Sequence, residues 1–208
     1  MKSIAKRWLE TFVSHYGYEL VKAGDASSGN FQHSMPTCEE RLRRARSLGF
    51  SPKYVVDGGA YIGHWTTMVA SLFPEAEFLV IEPNPHISLE LSENLETLEC
   101  HTIIVEKALA QEPGKLLFNI WGDPGKATSA SLQDHVKGKA DNATDVDVDS
   151  LDNIISQFSM QPDLVKLDLQ GAELSALAGA EEALKHAEMF IVEFVVLKPI
   201  LIELHRVN

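Results

Sequence analysis

Val55-Val56-Asp57-Gly58-Gly59-Ala60-Tyr61-Ile62-Gly63 is the stretch on which the fold turns. A short apolar run ends on an acid, passes through a glycine-rich turn and leaves as a helix whose apolar positions continue to Leu72. Strand, glycine turn and helix in that order form the layout in which ligands settle beyond the carboxyl ends of parallel strands. Glycine lets the backbone turn sharply there and approach a ligand closely.

The residue types narrow the ligand. Gly58, Ala60 and Gly63 occupy the three positions of the dinucleotide fingerprint, so the middle one is alanine, where close approach to a pyrophosphate matters most. Asp57 adds a carboxylate that repels a pyrophosphate. An ammonium and a sulfonium suit an acidic turn better, and S-adenosylmethionine carries both.

Outward from this turn the pattern alternates. Residues 78–81 read as a second apolar strand, 87–98 as a helix, 102–105 as a third strand and 116–120 as a fourth. Residues 146–148 alternate before a helix over 151–158. Residues 164–167 form a further core strand, 173–186 a helix, and 189–196 the last clear strand. Repeated β-α-β units predict a Rossmann-like α/β domain, mainly parallel in its sheet, with helices on both faces. Upstream, Thr37-Cys38-Glu39-Glu40 has capping-box spacing for a helix ending at Gly49. Residues 2–16 read as an amphipathic helix and 23–36 as a linker, so the expected division is 1–36 and a cofactor-binding domain over 37–208.

Two further segments add chemistry. Ile81-Glu82-Pro83-Asn84 ends the second strand on an acid 19 residues after Gly63, the spacing at which a carboxylate accepts from both ribose hydroxyls. Lys166-Leu167-Asp168-Leu169-Gln170-Gly171-Ala172-Glu173 gathers polar groups after another strand. With that strand beside the first, Asp57 and Asp168 flank the point where strand order reverses.

Composition sets the outer limits. The 208 residues are 45% apolar and 23% charged, with a net charge of −12 and a pI near 5.0. Nucleic-acid partners call for a basic footprint and are not expected. Cys38 and Cys100 stand far apart, no histidine pair has ligand spacing, and no metal site is expected. Asp145-Val146-Asp147-Val148-Asp149 lacks the glycine and terminal glutamate of a calcium loop. Charges interrupt the apolar residues of 1–18 and no long apolar run follows. The expectation is a cytoplasmic protein with reduced thiols and no membrane span.

Taken together, the three segments resemble the FkbM-type S-adenosylmethionine-dependent methyltransferases over residues 37–194, with Gly49-Phe50, Pro52, Val148-Asp149-Ser150-Leu151-Asp152, Leu177, Gly179 and Ala180 also matching. The resemblance implies a class I methyltransferase fold and O-methylation of a small-molecule or sugar hydroxyl. On this reading Asp57, Gly58, Gly59, Ala60 and Gly63 hold the amino-acid end of the donor. Glu82, with Pro83 and Asn84, holds the ribose, and Lys107 and Ala108 lie near the adenine. Asp168 orients the acceptor or takes its proton, with Glu173 and Glu193 as further candidates. The family commonly carries Val at position 58 and Asn at 61, and this chain has Gly58 and Tyr61. The fold also calls for a helix and two strands after 189–196, where only residues 197–208 remain. The expectation is a sheet lacking its C-terminal strands, with an open edge that either is covered by a second copy of the chain in a homodimer or makes the chain prone to aggregate. The rival readings are a non-catalytic or truncated binding protein of the same fold and an NAD-dependent oxidoreductase, against which Asp57 and Ala60 both speak.

Overall fold

Alternation along the central strands sorts the core into two faces. Val56, Leu79, Ile81, Val165 and Leu167 pack to one side, and Val55, Phe78, Val80 and Leu164 to the other. Successive side chains of a strand point to opposite faces, so strands apolar on both faces must be covered on both. In the computed structural model, which describes residues 18–22, 37–120, 130–131, 142–195 and 199–206, helices provide that cover.

Strands β2 (Tyr54–Gly58), β3 (Glu77–Ile81), β4 (Thr102–Val105), β9 (Leu164–Leu167) and β10 (Met189–Val195) run parallel in the order β10-β9-β2-β3-β4. Helices α1 (Cys38–Ser47), α2 (His64–Leu72) and α3 (Ser88–Glu96) cover one face through Leu42, Val69, Leu72, Leu91 and Leu95. Helices α4 (Leu151–Gln157), α5 (Glu173–Ala178) and α6 (Glu181–His186) cover the other through Leu151, Ile154, Leu177 and Leu184. The capping box at Thr37 is formed in both directions.

Three expectations change. The stretch 173–186 is two helices, broken at Gly179. A Cβ there would lie 2.5 Å from the Ala110 carbonyl, so glycine permits a close backbone approach that a continuous helix would not make. The edge of β10 is not open. Strand β11 (Pro199–Arg206) pairs antiparallel with it, and β1 (Tyr18–Lys22) pairs antiparallel with β11, giving a seven-stranded sheet. The C-terminal strands taken as missing are supplied by the chain's last residues and by a strand from within 1–36. The open edge on which the homodimer expectation rested is therefore covered. The amphipathic stretch 2–16 and the linker 23–36 lie outside the described residues.

The third change is a second sheet. Strands β5 (Ala108–Leu109), β6 (Gly114–Ile120), β7 (Ala130–Ser131) and β8 (Asn142–Asp149) order as β5-β8-β6-β7, with β6 antiparallel to β8. It has a small core of its own from Ala108, Phe118, Ile120, Val146 and Val148. The segment 116–120 therefore does not extend the parallel sheet; it brings Phe118 over the strand ends. No described helix is long and apolar enough to cross a membrane.

Candidate functional site

Strand order reverses between β2 and β9, and the chain leaves both strands there. Beyond their carboxyl ends lies a cavity of about 240 Å³. Gly59 and Tyr61 from the turn after β2 form one wall, and Glu82, Pro83 and Asn84 after β3 a second. Lys107, Ala108 and Leu109 close the far side, Phe118 comes from the second sheet, and Asp168, Leu169, Gln170 and Ala172 follow β9.

The β2 turn is held by backbone bonds from Gly59 N–H and Ala60 N–H to the Ile81 carbonyl at 2.9 and 3.2 Å. Gly59 has φ +75°, and a Cβ on it would lie 1.9 Å from the Asp168 carbonyl oxygen. The two turns at the switch point therefore touch backbone to backbone. Tyr61 also takes a left-handed conformation, φ 53°, which Asn adopts more readily than Tyr. At Gly58 the place of a side chain is filled by the Leu109 and Leu167 methyls, each 2.9 Å from a built Cβ.

Glu82 is buried, yet it lines the cavity. Oε2 accepts from Tyr61 N–H at 2.8 Å and Oε1 from Asn84 N–H at 2.9 Å. Burial pushes this carboxyl above its ordinary value of 4.5, opposed by the two backbone donors and by Lys166. Each oxygen keeps a further lone pair for a donor from the cavity.

The residues named from the sequence separate into two sets. Gly59, Glu82, Pro83, Asn84, Lys107, Ala108 and Asp168 meet around the cavity. Asp57, Gly58, Ala60, Gly63 and Glu173 do not line it. Asp57 is fully buried: Thr66 Oγ1 donates to its Oδ2 at 2.6 Å and Lys166 Nζ to its Oδ1 at 3.0 Å. Gly63 starts α2 with φ +83°. Glu173 turns inward, where Oε1 accepts from Leu169 N–H at 3.1 Å and Gly171 N–H at 2.9 Å. Those bonds hold a turn in which Gln170 and Gly171 both have positive φ. Lys107 is tied to Asp149 at 2.8 Å, whose carboxylate also accepts from Ser150 N–H and Asn153 Nδ2. Gln170 Nε2 donates to Asp168 Oδ1 at 2.8 Å.

Sequence reasoning gave no role to Lys166 or Phe118, and it grouped Gln170 with the polar residues after the strand without assigning it a role. The signal for Lys166 was present, because a lysine inside the buried run Leu164-Val165-Lys166-Leu167 requires a partner of opposite charge. Phe118 carried no local signal, since its place depends on the second sheet.

Residues 57–208 match the family model for the methyltransferase FkbM domain. The chain is 24% identical over 152 residues to the 2-O-methyltransferase NoeI of Sinorhizobium fredii, an alignment that covers 67% of this chain and 62% of that protein. Its fold is similar to the crystal structure of a methyltransferase FkbM from Methylobacillus flagellatus, with a TM-score of 0.50 and 22% identity over 72% of this chain and 35% of the other. The chain thus spans less than two thirds of the length of each.

Proposed function

Because this chain belongs to the FkbM methyltransferase family, we propose that it transfers a methyl group from S-adenosylmethionine to a hydroxyl of a small molecule or sugar. The observation that carries the cofactor assignment is Glu82. A buried carboxylate at the end of the second parallel strand lines the cavity with a lone pair free on each oxygen, which suits the adjacent hydroxyls of a ribose. Gly59 and Tyr61 border the same space. Lys107, Ala108, Leu109 and Phe118 line the same cavity, and on this reading they border the adenine. When bound, S-adenosylmethionine supplies a methyl group whose leaving group is a neutral sulfide, so the protein's share is largely positioning. Asp168 lines the cavity at the switch point and is the group placed to orient an acceptor hydroxyl or receive its proton. The acceptor class rests on the family and on the 2-O-methyltransferase relative.

S-adenosylhomocysteine should raise the melting temperature and NAD should leave it unchanged. A ligand bound only by the folded state stabilises it by about 2.7 kcal/mol at a hundred times its Kd. A shift with NAD alone would overturn the assignment.

Asp57 and Glu173 take different roles from those read in the sequence. Neither residue lines the cavity: Asp57 is bonded to the Thr66 and Lys166 side chains and Glu173 to the Leu169 and Gly171 N–H groups, which supports a positioning role for both. For Glu173 this has a clear test. Glu173→Gln keeps an oxygen for the Leu169 and Gly171 N–H groups and should retain donor binding and turnover within a few-fold. Glu173→Ala leaves both without an acceptor and should cost about 1–3 kcal/mol in urea unfolding. A Gln variant that folds and binds normally but has lost turnover would restore Glu173 as the proton acceptor.

A further inference from the structure

Asp57 and Lys166 are register partners on the adjacent parallel strands β2 and β9. Side chains at paired positions share a face, and this face carries α2, so both groups are enclosed under Thr66 and Trp65. The ammonium does more than neutralise Asp57. It donates to the Gly59 carbonyl at 3.1 Å, stands 4.0 Å from Asp168 Oδ2, and lies 5.8 Å from the centre of the Trp65 ring. Gly59 and Asp168 are the two cavity-lining residues that meet at the switch point, and Lys166 itself does not line the cavity.

We propose that Lys166 is a positioning residue for the donor, fixing the Gly59 peptide and the Asp168 carboxylate relative to each other from beneath the cavity floor. The inference rests on the donor site proposed above. A cation is the group this position needs. The peptide after β2 has the left-handed φ that favours glycine, and its part-buried carbonyl takes the Lys166 ammonium as donor. Burial works against the ammonium, but Asp57, Asp168 and Glu193 around it hold its pKa above the ordinary lysine value, so it stays charged. Glu82 also feels this charge. Lys166 is thus the cation shared by the acids that surround the switch point.

Removing Lys166 alone would strand Asp57 as a buried unpaired charge and could unfold the chain for that reason only. The test therefore uses a charge-balanced background. S-adenosylhomocysteine is titrated calorimetrically into the wild-type chain, Asp57→Asn, Asp57→Asn/Lys166→Met and Asp57→Asn/Lys166→Arg, well below every melting temperature. Asp57→Asn should bind within a few-fold of wild type, because Asp57 does not line the cavity. The Met double variant should melt near Asp57→Asn yet bind about tenfold more weakly or worse. The Arg variant, which again offers a cation to the Gly59 carbonyl, should recover part of that loss. Equal affinity of Asp57→Asn and the Met double variant would overturn the proposal while leaving the donor site standing. No binding by the wild-type chain would overturn both.

Discussion

Gly59→Ala should abolish the melting shift produced by S-adenosylhomocysteine and lower the stability of the chain by several kcal/mol. The sequence argues for glycine here because a side chain would fill ligand space. The structure adds a stronger reason. The built Cβ falls 1.9 Å from the Asp168 carbonyl oxygen, a main-chain atom that no rotamer change can move. The left-handed backbone costs a non-glycine residue about 1–2 kcal/mol, and forcing extra volume into a packed site about 1–3 kcal/mol more. Relief requires the turns after β2 and β9 to separate, and those turns are two walls of the cavity. Binding and stability should therefore fall together. Gly58→Ala is the control. Its Cβ would meet the ends of the Leu109 and Leu167 side chains at 2.9 Å and the Lys166 carbonyl at 3.2 Å, and its backbone is not left-handed. Leucine ends can shift, so Gly58→Ala should be the milder change in urea midpoint and in calorimetric affinity. A Gly59→Ala chain as stable as Gly58→Ala, with normal ligand affinity, would show that the two turns do not meet as described.

What was legible in the sequence was whatever short-range pattern determines. The β2 strand, its glycine turn and the acids closing β3 and β9 are read from neighbours within a few residues, and the structure has each element there. Pairing is a different matter. Residues 18–22 and 199–206 are far apart in the chain, and a strand at a sheet edge is defined by what it pairs with more than by its own residues. The same limit explains the second sheet. Segments 116–120 and 146–148 were read as strands, but their antiparallel pairing and the placing of Phe118 over the cavity follow from tertiary contact. For the candidate site, residue type pointed to Gly59, Glu82, Lys107 and Asp168, which line the cavity, and strand register decides which way Asp57 faces. Asp57 reads as a ligand group from its neighbours in sequence, and its pairing with Lys166 across β2 and β9, away from the cavity lining, is visible only in the fold.

Glu82→Ala should weaken S-adenosylhomocysteine binding by about ten- to a hundredfold, since hydrogen bonds to a charged partner contribute about 1.5–3 kcal/mol each and about 1.4 kcal/mol is tenfold. A position at a strand end suggests little effect on the fold, but the structure predicts otherwise. Glu82 is buried and holds the Tyr61 and Asn84 N–H groups, so alanine removes the acceptor of both and should also cost about 1–3 kcal/mol of stability. Glu82→Gln keeps one acceptor oxygen and sets an NH2 group against the other backbone donor. It should bind between wild type and alanine and be little more stable than alanine. The charge itself has a pH signature. Burial raises the folded-state pKa of Glu82, so the stability linked to this group is fully present below its ordinary value of 4.5 and is lost as pH rises through the raised value. Ribose hydroxyls donate to the ionised form, so ligand binding opposes protonation, and affinity should fall as pH drops through that raised value. Calorimetric titrations at several pH values, in wild type and Glu82→Gln, separate this group from Glu173 and Glu193, whose carboxyls burial also raises. The expected result is a pH dependence in wild type that is reduced in the Gln variant. Identical pH profiles and identical affinities would remove Glu82 from the donor site.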